Sequence, residues 1–116
     1  MSTKTKKLEK VDTGLTAENR GKLVQCLNTL LADEHLLYTK SRNYHWNVTG
    51  IHFTTLHELF EQHYNEIQTM ADEIAERARK LGGTPIGTML SFWKPLALRK
   101  SRHHPLRTGY DCQFAG

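Results

Sequence analysis

Histidine and acidic side chains recur at four-residue intervals in the middle of the chain. His57 precedes Glu61 by four residues, and Asp72 precedes Glu76 by four. In an α-helix, residues four apart lie on the same face in adjacent turns, so each pair could bind one metal ion. Imidazole combined with carboxylates suits iron, manganese or zinc better than calcium or copper(I). The spacing therefore predicts two metal-binding half-sites on one helix.

The two pairs are too far apart to share an ion within one chain. Glu61 and Asp72 are eleven residues apart, close to three full turns, which places both pairs on one helix face. His57 and Asp72 are nevertheless separated by about 22 Å along the axis, at about 1.5 Å per residue. If two copies pack antiparallel about a twofold axis near residues 65–67, the first pair of one chain meets the second pair of the other. The sequence thus predicts two sites per dimer, each split across the interface.

A further nitrogen donor precedes these pairs. His45 stands at the end of the preceding helical pattern, where an antiparallel hairpin could bring it toward His57. A single acidic residue or histidine on a helix is most often a solvated surface residue, but five at this periodicity are harder to assign to that role. The remaining histidines have no matching partner pattern or lie near the C-terminus, and we leave them out of the site: His35, His52, His63, His103 and His104.

Two long amphipathic helices are predicted to position these residues. The first is capped by Thr16 and runs for about 28 residues to a break at residues 47–50. The second is capped by Thr54 or Thr55, has a similar length, and ends at residues 82–85, which are Gly-Gly-Thr-Pro. Helices joined by so short a loop lie antiparallel, as half of a four-helix bundle or one layer of a helical oligomer. The predicted apolar stripes contain Leu23, Leu27, Leu30, Leu31, Leu37, Tyr38 and Ser41 in the first helix, and Leu56, Phe60, Ile67, Ala71, Ile74, Ala78 and Leu81 in the second.

The composition limits the class of protein. A chain of 116 residues with 38% hydrophobic residues has room for one small domain with a modest core, which a partner would complete. No apolar stretch approaches the roughly 20 residues of a membrane helix, and no apolar region follows the N-terminal lysines. Cys26 and Cys112 form no CxxC motif, so neither a disulfide framework nor a zinc knuckle is expected. These features predict an unexported, cytoplasmic protein.

The excess positive charge is confined to the C-terminal end. Residues 1–89 contain 11 basic and 11 acidic residues, whereas residues 90–116 contain five basic residues and only Asp111 as an acid. This second segment includes Pro95 and Pro105 and has no sustained helical stripe, so we predict an anomalous basic tail. Residues 1–12 are predicted to form a mobile, lysine-rich tail that carries Lys4, Lys6, Lys7 and Lys10.

A resemblance to a known family covers residues 15–89 and is clearest in YHWNVTGIHFTTLHELFEQHYNEIQTMADEIAERARKLGGTPIGT. This segment resembles the Dps family, the DNA-binding proteins from starved cells. The ferroxidase centre of that family has the order His, His, Asp or Glu, Asp or Glu, and Glu, with eleven, three, ten and three residues between them. The residues that fit each step are His45, His57, Glu61, Asp72 and Glu76, although many members have Asp where Glu61 stands. The resemblance implies that these five are the metal ligands and catalytic residues.

The resemblance also implies an assembly and an activity. It implies a ferritin-like, all-α, four-helix subunit in a hollow dodecamer, with the two histidines and Glu61 of one chain facing Asp72 and Glu76 of its twofold mate. Family members oxidise Fe(II), usually with hydrogen peroxide, and store the Fe(III) mineral inside the shell, which protects DNA from oxidative damage. Trp46 resembles the tryptophan that these proteins place beside the centre. The lysine-rich tail resembles a DNA-binding arm that contacts phosphates without reading sequence.

The chain departs from the family after Met89, where members continue with a short connecting helix and two more long helices. With suitable synonymous codons, a shifted reading frame over residues 90–101 encodes EFLEAVSLKEI, an acidic helical segment of the kind expected there. We therefore hypothesise that the basic tail is a frameshift product, so that only the first two long helices of the bundle are present. Three functions stay open: an iron-sequestering ferroxidase, a nucleoid-associated protein that coats DNA with secondary iron chemistry, and a truncated inactive fragment.

Overall fold

The computed structural model describes residues 7–94, which form a helical hairpin with a short third helix. The helices are α1 (Ala17–Asn47), α2 (Phe53–Lys80) and α3 (Met89–Trp93). Helices α1 and α2 pack against each other in antiparallel fashion, and α3 lies against α1. The predicted all-α class with two long helices is confirmed. Of the predicted basic tail, residues 95–116 lie outside the described residues.

None of the three helices within residues 7–94 combines the length and the apolar composition that a membrane crossing requires.

The first helix begins and ends where the sequence predicts. Thr16 has extended backbone angles, and its side-chain oxygen accepts a hydrogen bond from the backbone N–H of Asn19 at 3.2 Å. Such a cap satisfies one of the backbone donors that the first turn leaves without a partner. At the other end, Val48 is extended and stops the helix after 31 residues. The chain then turns at Gly50, whose φ of 102° is a conformation that favours glycine.

The start of the second helix differs from the prediction. We expected Thr54 or Thr55 as the cap, but α2 begins at Phe53, and the side chain of the preceding His52 makes no capping hydrogen bond. The turn closes through the backbone instead, because the N–H of Phe53 donates to the carbonyl oxygen of Gly50 at 3.1 Å. The helix therefore starts one to two residues before either threonine.

The second helix ends at the predicted glycine pair. Gly82 has a φ of 82°, and its N–H donates to the carbonyl of Arg79 at 2.9 Å. The N–H of Gly83 reaches back to the carbonyl of Ala78 at 3.0 Å. This pair of hydrogen bonds is the Schellman arrangement, which satisfies carbonyls that have no partner within the helix.

The core lies between α1 and α2, and it is smaller than the apolar stripes. Every residue of the predicted α2 stripe is buried or half-buried, with Ile67 and Ala78 the most enclosed. In α1, however, Leu23, Leu30 and Leu37 are 43%, 44% and 44% exposed. Their seven-residue spacing places them on one side of α1, away from the residues that α2 covers. The hairpin thus leaves an apolar surface uncovered, as expected for half of a bundle.

Residues 7–12 precede α1 and lie against the end of the hairpin where α1 begins and α2 ends. We call this segment the N-terminal strap. The backbone N–H of Glu9 donates to the carbonyl of Gly82 at 2.8 Å. The side chain of Arg20 is buried, and its Nη1 donates to the carbonyl oxygens of Glu9 at 3.0 Å and Leu81 at 2.9 Å. A cation beside the last carbonyls of a helix is electrostatically favourable. The arginine therefore joins the strap, the start of α1 and the end of α2.

Candidate metal centre

Two of the predicted ligands meet where α1 ends and α2 begins. The imidazole rings of His45 and His57 are stacked, with centroids 3.7 Å apart and an angle of 19° between the ring planes. His45 is buried and His57 is half-buried. The Nδ1 atom of each ring lies 2.7 Å from the backbone carbonyl oxygen of the other residue. The hairpin thus brings the two histidines into a reciprocal arrangement.

The reciprocal hydrogen bonds determine which ring nitrogen is available to a metal. A carbonyl oxygen only accepts hydrogen bonds, so Nδ1 of His45 and Nδ1 of His57 must each carry the proton and donate it. In a neutral imidazole the other nitrogen, Nε2, then has the free lone pair. Metal-binding histidines are generally oriented in this way, with one ring N–H donated to a carbonyl or carboxylate. Both side chains are therefore arranged to offer Nε2 as a ligand.

Aromatic side chains hold the two imidazoles in place. The ring of Phe53 is stacked on His57, with centroids 4.9 Å apart. The ring of Tyr64 meets His45 edge to face at 5.3 Å. These contacts restrict the rotation of the imidazoles, so less conformational freedom would be lost when a metal binds.

The acidic residues of the predicted site lie on the exposed surface of α2. Glu61 is one turn beyond His57, and Asp72 and Glu76 follow nearer the C-terminal end of the helix. Because α2 is continuous, His57 and Asp72 are separated by about 22 Å along its axis. Within residues 7–94, no three His, Cys, Asp or Glu side chains converge on one point. One chain therefore brings the two histidines together but does not bring all five predicted ligands together. A five-ligand site shared between two chains stays a prediction.

An arginine that the sequence analysis did not single out lies among three aromatic rings, one of which, Tyr64, also meets His45. The guanidinium carbon of Arg42 is 4.8 Å from the ring centroid of Trp46, 5.5 Å from that of Tyr38 and 5.6 Å from that of Tyr64. Its Nη1 also donates to the hydroxyl of Tyr38 at 2.9 Å. We call these four residues the Arg42 cluster. The four-residue spacing from Tyr38 through Arg42 to Trp46 was the available signal, whereas the contact with Tyr64 depends on how α2 packs.

The histidines left out of the predicted site have other surroundings where the structure describes them. His35 stacks on Phe92 with centroids 4.2 Å apart, which attaches α3 to α1. His63 meets Phe60 edge to face at 6.3 Å, and His52 precedes α2. His103 and His104 lie outside the described residues. Of the lysines assigned to the N-terminal tail, Lys7 and Lys10 are exposed, whereas Lys4 and Lys6 precede the first described residue.

Comparison with known proteins identifies the class of protein. A model of the ferritin-like domain of the ferritin family matches residues 24–106. This match covers most of the chain, so the chain belongs to the ferritin-like family. The match continues past Met89, where we predicted the end of the family-like segment, and that boundary stays a prediction.

The relatives include Dps proteins, the family that the resemblance in the sequence indicated. The DNA protection during starvation protein 2 of Bacillus anthracis is 41% identical over 81 residues, which cover 70% of this chain and 56% of the relative. An uncharacterised low temperature-induced protein of Nostoc sp. is 43% identical over 93 residues, which cover 80% of this chain and 52% of the relative. The chain thus spans about half the length of these curated relatives.

Solved structures agree with this assignment. DpsC from Streptomyces coelicolor superposes with a TM-score of 0.78 at 28% identity, covering 84% of this chain and 57% of that one. The Dps protein of Vibrio cholerae, a member of a broad superfamily of ferritin-like diiron-carboxylate proteins, gives a TM-score of 0.69 at 36% identity, with coverage of 70% and 51%. The two long helices of this chain therefore have the Dps fold.

Proposed function

We propose that this protein is an iron-sequestering ferroxidase that oxidises Fe(II), with hydrogen peroxide as the oxidant, and so protects DNA in the bacterial cytoplasm. The observation that carries the proposal is the stacked histidine pair, because both Nε2 atoms are left free for a metal. In the proposed site, His45, His57 and Glu61 of one chain and Asp72 and Glu76 of a twofold-related chain bind iron as the substrate. The diiron-carboxylate superfamily of the Vibrio cholerae neighbour supports this choice of metal.

The donor set suits this chemistry. Carboxylates favour Fe(III) over Fe(II) because they are hard, anionic ligands, whereas neutral imidazoles still bind Fe(II). Two Fe(II) ions each give one electron to hydrogen peroxide, which takes up two protons and forms two molecules of water. The reaction consumes both Fe(II) and peroxide, whose uncontrolled reaction would release hydroxyl radical. The protein's part is to position the ions with oriented side chains.

A second copy of the chain is part of the proposal, since one chain does not assemble the five ligands. Exposed apolar side chains supply contact area for it. Leu23, Leu30 and Leu37 are uncovered on α1, and Ile51, at the turn between the long helices, is 95% exposed. An apolar surface of this kind favours association with a partner. The dodecamer implied by the family resemblance belongs to the same proposal.

The test is an iron oxidation assay with matched variants. The protein is mixed with Fe(II) and hydrogen peroxide, and the absorbance of Fe(III) is followed against a protein-free blank. We expect His57→Ala and Glu76→Ala to lower the rate by more than about tenfold, since even the loss of a residue supporting a ligand has an effect of that order. The controls are His63→Ala and Glu73→Ala, which remove the same side-chain types from other positions of α2. Equal rates in all four variants would exclude the proposed ligands.

The size of the protein in solution distinguishes the inactive-fragment alternative. If the protein is a ferroxidase, we expect it to form dimers or larger closed assemblies in solution and to oxidise iron faster than the protein-free blank. A monomeric or aggregated protein that oxidises iron no faster than the blank would favour an inactive fragment.

DNA binding is the second candidate function, and the position of the N-terminal strap favours it. The strap carries exposed Lys7 and Lys10 and is bonded to the end of α2, where Arg77, Arg79 and Lys80 are also exposed. Glu9 offsets part of this charge, because its carboxylate lies 3.4 Å from the guanidinium of Arg79. A cluster of cations binds phosphates without sequence preference and becomes weaker as salt rises.

A gel-shift titration at several salt concentrations tests this second function. Replacing Lys7 and Lys10 by glutamine should weaken DNA binding. It should also make the slope of the logarithm of the binding constant against the logarithm of the salt concentration shallower by about one unit per lysine. The control replaces Lys22 and Lys40 on α1. An equal effect of both pairs would argue against the strap as the contact surface, and iron oxidation should be unchanged in either double variant.

A further inference from the structure

We propose that Arg42 protects Trp46 from one-electron oxidation at the metal centre. The physiological source of the oxidant rests on the proposed function, but the effect of the arginine on the indole does not. Trp46 is the nearest of the three rings around the guanidinium, at 4.8 Å from its carbon to the ring centroid.

The position of Arg42 is fixed by several contacts. The guanidinium lies near three aromatic rings, and its Nη1 hydrogen bond to the hydroxyl of Tyr38 restrains it. Its Nε is buried and has no hydrogen-bond partner among residues 7–94. The Tyr64 ring lies 5.6 Å from the guanidinium carbon, and its centroid is 5.3 Å from that of His45. Tyr64 therefore connects the cation to His45, one of the proposed iron ligands.

The protection follows from charge. A cation is attracted to the electron-rich face of a neutral indole ring. When the indole loses an electron it becomes a radical cation, and the attraction changes to repulsion between like charges. For unit charges 4.8 Å apart, Coulomb's law at the dielectric constant of water disfavours this oxidation about fourfold, and more as the dielectric falls. The dielectric constant of water applies because the Trp46 side chain is 62% exposed.

The proposed reaction supplies an oxidant that makes such protection useful. If a single Fe(II) reduces peroxide, it donates one electron, and hydroxide and hydroxyl radical form. A hydroxyl radical that takes one electron from the indole becomes hydroxide and leaves the indole radical cation. The radical cation then loses its N–H proton to that hydroxide, which gives water. Arg42 opposes the electron-transfer step of this sequence, whereas the paired two-electron reaction is unaffected.

The decisive experiment uses an oxidant that needs no iron. Azide radical, generated by pulse radiolysis, takes one electron from tryptophan and becomes azide ion. The two tryptophans of the chain, Trp46 and Trp93, fall on different tryptic peptides, so mass spectrometry gives the oxidised fraction of each. Trp93 is 52% exposed and serves as the internal reference. The unmutated chain is compared with Arg42→Gln, which removes the charge, and Arg42→Lys, which keeps it.

We expect the ratio of oxidised Trp46 to oxidised Trp93 to rise about two- to fourfold in Arg42→Gln and to rise less in Arg42→Lys. An unchanged ratio in Arg42→Gln would overturn the inference. An equal rise in both variants would also overturn it, since lost packing and not lost charge would then be the cause.

A parallel experiment with Fe(II) and peroxide separates this inference from the proposed function. If Trp46 is protected from azide radical but the protein oxidises no iron, the proposed function fails and the inference stands. If iron is oxidised but the azide experiment shows no effect of Arg42→Gln, the inference fails and the proposed function stands.

Discussion

Replacing Gly82 by alanine tests how the N-terminal strap is attached to the hairpin. Gly82 has a φ of 82°, and a Cβ atom built on it would lie 2.6 Å from the carbonyl oxygen of Glu9 and 2.8 Å from Nη1 of Arg20. Both distances are too short for a real contact, so the strap or the arginine would have to move. Gly14 provides the matched control, because its φ is 73° and a Cβ there would meet nothing within 4 Å.

The expected loss in the free energy of unfolding follows from the contacts that Gly82→Ala removes. A left-handed conformation costs an alanine about 1 to 2 kcal/mol at either position. At Gly82 the strap must also give up the Glu9 N–H hydrogen bond, about 1 kcal/mol, and the bond from Arg20 to the Glu9 carbonyl, about 1.5 to 3 kcal/mol. The released strap regains backbone freedom, which offsets part of this loss. We therefore expect Gly82→Ala to lower the free energy of unfolding by about 2 kcal/mol more than Gly14→Ala does.

The assay is urea unfolding of both variants and the unchanged protein, followed by circular dichroism at fixed protein concentration. Hydrogen exchange at the amide of Glu9 gives a local readout, and it should become faster in Gly82→Ala alone. If the two variants unfold at the same urea concentration and protect Glu9 equally, then the strap is not held in the way described.

Two smaller predictions concern the helix start and the loop that follows α2. Thr16→Ala should lower the free energy of unfolding by about 1 kcal/mol through loss of the α1 cap, as measured by urea unfolding, whereas Thr13→Ala should have little effect. Asn28→Ala should lower it by about 1 to 2 kcal/mol, because the Asn28 amide bonds both the N–H of Ile86 and a carbonyl of the same loop. Hydrogen exchange at Ile86 should then become faster, which the control Asn65→Ala should not cause. Unchanged hydrogen exchange at Ile86 in Asn28→Ala would show that the Asn28 side chain does not stabilise this loop.

Local signals in the sequence were enough to predict three of the four ends of the two long helices, whereas the short helix α3 was not predicted. Thr16 caps α1 and Gly82 ends α2 as expected, because both depend on residues within a few positions of the helix terminus. The start of α2 was predicted wrongly at Thr54 or Thr55. There the turn is closed by a backbone hydrogen bond to Gly50, and a bond between backbone groups leaves no side-chain signal.

The sequence of α1 does not show which of its apolar residues α2 covers. The sequence places Leu23, Leu30 and Leu37 in the same stripe as Leu31, yet α2 covers Leu31 and leaves the other three exposed. A helix that packs on two sides has a broad apolar surface, and its sequence does not show which part faces which neighbour. The choice depends on the tertiary packing of α2.

The candidate site, too, was predictable only in part from the sequence. Helical spacing placed His57 and the three acidic residues on α2, and the hairpin brought His45 to His57 as expected. The reciprocal hydrogen bonds that leave Nε2 free depend on the register of the two helices, which no spacing rule provides. The contact between Arg42 and Tyr64 crosses the hairpin in the same way. The shared five-ligand site stays a prediction, because it needs a second chain.

Complementation between two inactive variants tests directly whether the iron site is shared between two chains. One variant carries His45→Ala and His57→Ala, and the other carries Asp72→Ala and Glu76→Ala. When the two are co-refolded in equal amounts, random pairing makes half of the dimers mixed, and each mixed dimer has one intact site out of two. If the site is shared between chains, neither variant alone should oxidise iron above the blank, and the mixture should reach about one quarter of the unmutated rate. A mixture as inactive as its components, beside an active unmutated protein, would contradict a site shared between chains.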